Sequence, residues 1–203
     1  MARPREFDEE TVVRAARERF WNAGYAATSM TDLAEATGLG KTSLYGAFGD
    51  KHALFMRIFD EYSTGAIESA EAELGGPDET ALDRIRDYLL ANARGSAGNP
   101  RGCLLARGTA ELASVDAEVA ERAKQAYAGL SAVLAHAVEA AQRAGDIDPE
   151  ADPRALGDLM LAVHRGTEAL GRGGAEEPAL RALVETFMNS LAARRGRIQH
   201  EGV

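Results

Sequence analysis

Cysteine is nearly absent from this chain. Cys103 stands alone among 203 residues, so no internal disulfide can form and no thiolate cluster can hold a metal, as expected for a reducing compartment. Long apolar runs are absent as well. No stretch approaches the ~20 residues that a bilayer span needs, and the opening Met1-Ala2-Arg3-Pro4-Arg5-Glu6 lacks the apolar core of a secretion signal. The expectation is a soluble, cytoplasmic protein with no membrane partner. No segment alternates apolar and polar residues as a strand would, and no internal repeat occurs. The residue sets of turnover are missing too: there is no Gly-x-Ser-x-Gly elbow, no glycine-rich phosphate cradle after a strand and no convincing acid/base pair. Gly171-Arg172-Gly173-Gly174 follows a helical segment and reads as a linker. Neither an enzyme nor a bound cofactor is expected.

What is present is concentrated between Thr28 and Lys51. Thr31, followed by Asp32, Leu33 and Ala34, predicts a helix start, because a hydroxyl can cap free backbone donors and a carboxylate suits the positive end of the dipole. The helix should end near Thr37. Gly38 sits where a left-handed residue closes a helix, Leu39 can tuck between two helices, and Gly40 lets the chain restart at a steep angle. A second helix then runs from about Lys41 to Phe48. Leu44 and Phe48, four apart, face inward and leave Lys41, Thr42, Ser43, Tyr45, Gly46 and Ala47 outward. That small, polar, singly cationic face suits a major groove. An ordinary helical hairpin with a glycine turn has the same spacing. Upstream, Phe7 to Trp21 carries Val12, Val13, Ala16, Phe20 and Trp21 on one face, and Asn22-Ala23-Gly24-Tyr25 ends it, which supplies a third helix for the pair to pack on.

Taken together, Phe20, Gly24-Tyr25, Thr28-Ser29-Met30, Leu33-Ala34, Ala36-Thr37-Gly38-Leu39, Ser43-Leu44-Tyr45, Phe48 and Lys51 resemble the amino-terminal domain of the tetracycline-repressor (TetR) family of transcriptional regulators. The resemblance implies a repressor that binds a double-stranded DNA operator and is released by a small-molecule effector. It implies phosphate contacts from Thr28, Ser29, Tyr45 and Lys51, and base-edge contacts from Lys41, Thr42, Ser43 and Gly46, with Gly40 beside them. Gly40 and Thr42 depart from the residues common at those positions in the family.

The charge balance bears on that reading. The formal net charge is −9, but residues 1–60 hold 8 Lys+Arg against 9 Asp+Glu, whereas residues 61–203 hold 15 against 23. A reading head so nearly neutral depends on local cations, here Arg3, Arg5, Lys41 and Lys51, so little non-specific affinity and a modest salt slope are expected. A helical binding protein without DNA recognition is the alternative that this balance allows.

The remainder reads as helix throughout, giving an all-α chain of about nine helices. A long helix from near Asp50 to Leu74 stops at Gly75-Gly76-Pro77; Asp78 caps another to about Ala97; a short one spans about Cys103 to Ala113; Ser114 or Asp116 opens a long one to Ala144. Asp152-Pro153 begins a helix carrying Leu156, Leu159, Met160, Val163, Thr167 and Leu170, and Glu177-Pro178 begins the last, before the basic tail Arg194-Arg195-Gly196-Arg197. With 45% hydrophobic residues the chain can bury a sizeable core. The organisation expected is a DNA-binding domain over 1–50, a connecting helix over 51–76, and a helical effector-binding and dimerisation domain over 77–203. The resemblance implies a homodimer through the last two helices, whose apolar arcs otherwise read as internal core.

Cys103 is the most distinctive residue of the effector region. Asn99-Pro100-Arg101-Gly102 delivers its thiol to the first turn of a helix beside Arg101, which favours thiolate, and the segment Arg101-Gly102-Cys103-Leu104-Leu105 resembles that of electrophile- and oxidant-responsive members. A thiol followed by two leucines equally reads as a small buried hydrophobe. Among His52, His136, His164 and His200 none has a partner at a spacing that compels a metal site, although His136 and Glu139 are three apart and His164 and Glu168 four. Tyr88, Tyr127, Met160 and His164 are candidates to line an effector cavity, with core packing as the plainer reading.

Overall fold

The structure is a computed structural model that describes residues 7–192. Nine α-helices and no strand occur among the described residues: α1 (Glu9–Ala23), α2 (Met30–Thr37), α3 (Lys41–Phe48), α4 (Lys51–Leu74), α5 (Ala81–Ser96), α6 (Leu104–Leu112), α7 (Ala117–Arg143), α8 (Pro153–Arg172) and α9 (Glu177–Ala192). Arg3, Arg5, His200 and the basic tail from Arg194 lie outside the described residues.

Most helix ends follow the local chemistry. Asp8 caps α1 by accepting from the Glu10 and Thr11 amides at 3.3 and 3.2 Å, and Asp152 caps α8 with Pro153 at its first position. Three ends differ from expectation. The cap of α2 is Ser29 rather than Thr31: Ser29 accepts from the Asp32 amide at 3.2 Å while Asp32 accepts from the Ser29 amide at 2.7 Å, a reciprocal capping box. Asp78 does not cap α5. It begins a 3₁₀ turn, and its carboxylate instead takes both Nε and Nη2 of Arg143 at 2.7 and 2.9 Å. Gly40 caps α3 at φ −64°, ψ 148°, a conformation open to any residue, so the steep restart does not need glycine there. Gly38, at φ 70°, does need the left-handed region.

The chain packs as two compact units. Among the described residues, one comprises 7–63 with Cys103–Ala123 and the other Thr64–Gly102 with 124–192. The divisions fall inside α4 and α7, and α6 packs with the first unit. In the first unit an aromatic chain runs from Phe20 to Phe55 (5.3 Å between centroids), to Tyr25 (5.0 Å from Phe55) and to Phe59 (5.7 Å from Phe55), with Leu33, Leu44, Leu54 and Ile58 fully buried beside it. Helix α6 lies on this cluster at Gly108, where a Cβ would come within 2.8 Å of Phe59 Cε2. In the second unit α5 packs against both α8 and α9, and α8 against α9. Ile85, Leu89, Met160, Leu180, Val184 and Met188 are buried there.

Candidate nucleic-acid interface

Helix α3 gains its orientation from two side chains. Leu44 is fully buried and Phe48 nearly so, which turns Lys41, Thr42, Ser43, Tyr45 and Gly46 outward, all of them exposed. Tyr45 keeps 52% of its surface in solvent. Added Cβ atoms at Gly40 and Gly46 would meet nothing within 4 Å, so this face is open. Together these residues offer hydroxyl donors and acceptors, one ammonium and little bulk, the complement that direct readout of base edges uses.

The phosphate-contact candidates stand differently. Thr28 is buried, and its hydroxyl donates to the Gly24 carbonyl at 2.6 Å, which closes the α1–α2 turn. Ser29 is exposed, but its hydroxyl donates to Asp32 Oδ2 at 2.7 Å. That bond, with Arg19 at 3.1 Å beyond it, holds the Asp32 carboxyl below the usual carboxylate range. Lys51, the first residue of α4, donates to the Tyr25 carbonyl at 3.0 Å and lies 4.0 Å from the Tyr25 ring centroid. An ammonium carries three donors, so this anchorage leaves protons for a phosphate.

In the second unit, two of the four effector candidates of the sequence, Tyr88 of α5 and His164 of α8, are in contact. The imidazole of His164 is buried and stacks on the Tyr88 ring, 5.1 Å between centroids at 20°. Met160, one turn before it on α8, is fully buried. Arg165 lies 6.0 Å from the Tyr127 ring centroid and bonds Glu168 at 2.8 Å. Burial, with Arg165 adding to it, pushes the His164 pKa down to about 3, so the ring is neutral. Its Nδ1 is buried with no hydrogen-bond partner, the nearest carboxylate oxygen being Glu168 Oε1 at 3.9 Å. Burial also raises the Glu168 carboxyl, and it outweighs the neighbouring guanidinium. Sequence reasoning missed Asn92, whose amide donates to the His164 carbonyl at 2.9 Å and to the Thr167 hydroxyl at 2.6 Å. Nothing in its neighbourhood on α5 distinguishes it from a solvated asparagine. A cleft of about 240 Å³ lies elsewhere in this unit, between Glu71, Arg84, His136 and Arg143.

Cys103 occupies the cap position of α6, one residue before its expected first turn, and is half-buried with Sγ 3.7 Å from the Tyr62 hydroxyl. It is neither a core hydrophobe nor an exposed thiol. Two further residues of α6 that sequence reasoning passed over, Arg107 and Glu111, reach the α1–α2 turn, and their four-residue spacing was the available signal.

A three-helix head that presents a short polar helix after a glycine turn, on an all-helical chain, defines a helix-turn-helix regulatory protein. The chain belongs to the TetR family of transcriptional regulators: residues 12–58 match the family described as bacterial regulatory proteins, tetR family, and residues 81–183 match the tetracyclin repressor-like C-terminal domain. It is 29% identical over 188 residues to the HTH-type transcriptional repressor ComR of Escherichia coli K12, covering 92% of this chain and 90% of that protein. It is 31% identical over 127 residues to the HTH-type transcriptional repressor BdcR of the same organism, covering 62% of each. In fold it resembles a cysteine mutant of the TetR family regulator CifR, a structure complexed with 26-bp operator DNA, with a TM-score of 0.77, 24% identity, and coverage of 93% of this chain and 99% of that one. No helix among the described residues is long and apolar enough to cross a membrane.

Proposed function

We propose that this protein is a homodimeric, non-enzymatic, cytoplasmic repressor that binds a double-stranded DNA operator through α3 and releases it when a small molecule occupies the second unit. The observation that carries this reading is the outward face of α3, where Lys41, Thr42, Ser43, Tyr45 and Gly46 stand exposed on a helix anchored by Leu44 and Phe48. Tyr45, Lys51 and the exposed Ser29 are the phosphate contacts of this reading. Residues 1–50 serve as the reading head, 51–76 as the lever and 77–203 as the responsive region.

Two features support the rest. Leu159 and Leu170 on α8 keep 48% and 49% exposure in a single chain, and with Ala155, Ala162 and Ala169 they form an apolar stripe that a second copy would cover. One reading helix recognises few base pairs, and a two-fold pair reads two half-sites. A neutral buried imidazole with an unsatisfied Nδ1, stacked on Tyr88, makes His164 the polar partner of an effector in this reading, with Tyr127 and Met160 as its further candidate contacts. An effector that favours one conformation weakens operator binding, and the operator weakens the effector by the same factor.

A second reading concerns the trigger. The half-buried Sγ of Cys103 at the cap of α6 supports an electrophile-responsive switch in place of the His164 cluster. One titration separates the possibilities: fluorescence anisotropy of DNA from the protein's own upstream region, with and without N-ethylmaleimide, for the wild type and Cys103→Ser. Salt-sensitive binding that the maleimide leaves intact supports the ligand-gated repressor. Release in the wild type alone transfers the trigger to Cys103, and absence of specific binding at low salt overturns the repressor in favour of a helical binding protein without DNA recognition.

A further inference from the structure

The turn between α1 and α2 is held from outside the helix-turn-helix. The Gly24 amide closes α1 on the Phe20 carbonyl at 2.8 Å, but the amides of Tyr25 and Ala26 lie beyond the ladder and have to find partners elsewhere. Glu111 of α6 supplies them: its carboxylate accepts from the Tyr25 amide at 3.0 Å through Oε2 and from the Ala26 amide at 2.6 Å through Oε1. One turn earlier on α6, Arg107 donates through Nη1 to the Trp21 carbonyl at 2.8 Å and to the Asn22 carbonyl at 3.3 Å, the open acceptors at the end of α1. A cation on the acceptors and an anion on the donors give each the partner its partial charge requires. Gly24 makes room for both. At φ +89°, a Cβ there would stand 2.9 Å from Glu111 Oε2 and 3.1 Å from Arg107 Nη2.

The Tyr25 carbonyl of the same turn accepts from the Thr28 amide at 3.1 Å and from Lys51 at 3.0 Å. The segment that sets the entry of α2, and through α2 the pose of α3, therefore sends two amides to α6 and shares an acceptor with α4. Helix α6 cannot shift easily against α4, because Gly108 sits against Phe55 and Phe59 without space for a methyl group.

We propose that Arg107 and Glu111 are positioning residues for operator recognition. They touch no DNA; they fix the α1–α2 turn so that the outward face of α3 is presented in one pose, and losing them lowers operator affinity without removing any phosphate contact. This inference rests on the operator-binding reading above and adds the elements that tune it.

Operator affinity of the full-length protein tests it, with upstream DNA that the wild type binds. Glu111→Gln keeps the volume but offers one acceptor oxygen for two amides, and should weaken the operator about tenfold. Arg107→Ala should weaken it by a similar factor, with Arg107→Lys recovering part of the loss, since an ammonium can reach one carbonyl. The slope of log affinity against log salt should stay at the wild-type value in every variant, because no phosphate partner is lost. Emission from Trp21, the single tryptophan of the chain, reads the same end of α1 and should shift in the Arg107 variants. Wild-type affinity for folded Glu111→Gln and Arg107→Ala would overturn the positioning role while leaving the repressor reading intact. A reduced salt slope would overturn it in favour of direct phosphate contact, and a wild type silent on all upstream DNA would remove both readings.

Discussion

The outward face of α3 and the His164 cluster of α5 and α8 handle polar groups in opposite ways. On α3 every polar side chain faces water, and only Leu44 and Phe48 carry packing. Around His164 the polar groups are inside: the imidazole is buried and neutral, Thr167 is fully buried, and Asn92 spends its amide on them. A surface of the first kind can be changed residue by residue with little effect on the fold. In a cluster of the second kind each polar atom is satisfied by a named neighbour or left unsatisfied at a cost, so function and stability are tied together. The first kind suits recognition of an exposed duplex and the second suits a response to a small molecule.

The sharpest way to break the contrast is to remove the packing that orients the open face. Leu44→Ala should destabilise the first unit by about 3 kcal/mol, since a fully buried leucine is lost into a site closed by helices on several sides. The measurement is the midpoint of a denaturant melt, and operator binding should fall with it.

Acid should strike the buried cluster and spare α3. The folded pKa of His164 lies near 3 and the unfolded value near 6.5, so as pH falls the unfolded chain takes up this proton first. Stability is complete above 6.5 and declines below it, with a slope of up to about 1.4 kcal/mol per pH unit. Arg165 discourages the proton further. The raised pKa of Glu168 acts in the opposite sense, stabilising at low pH and fading as pH rises through its folded value. His164→Phe, which keeps the stack on Tyr88, should flatten the acid limb in melts between pH 5 and 7.

Two glycines of the helix-turn-helix separate conformational need from open space. Gly38→Ala forces a Cβ into the left-handed region and should cost about 1 kcal/mol, whereas Gly40→Ser adds a capping hydroxyl at an ordinary φ and should stabilise by about 0.3 kcal/mol. Thermal melts of the two variants should therefore move in opposite directions. Smallest of all in stability is Lys41→Ala on the exposed face. Its melt should match the wild type within about 0.5 kcal/mol, and discrimination among operator variants at the base it contacts should relax by about 1 kcal/mol, read from their relative affinities.

The head was the more legible region, because its signals are local. Gly38, the Leu44/Phe48 pair and the outward set on α3 depend on spacing along one short helix, and each was readable from neighbours a few positions away. Errors came where two local solutions compete. Ser29 and Thr31 are both hydroxyls ahead of Leu33, and the choice of Ser29 was settled by Asp32 standing three residues after it, where the reciprocal bond can close. Asp78 had the composition of a cap and was taken by Arg143, 65 positions away in the chain. The stacking of Tyr88 on His164, and the approach of Arg165 to Tyr127, are not legible in the sequence, since helical periodicity gives a face and not what that face meets.

By itself the sequence determined that the chain is helical, where its helices break, and that one short helix would carry a polar face on two apolar anchors, because these properties follow from periodicity, caps and glycine turns within a dozen residues. Tertiary structure alone decided that α6 packs with the head, that Arg107 and Glu111 complete the α1–α2 turn 85 positions away, and that His164 stays neutral. Those outcomes depend on burial and on partners brought together by folding, and neither burial nor a distant partner is encoded in any local window of the chain.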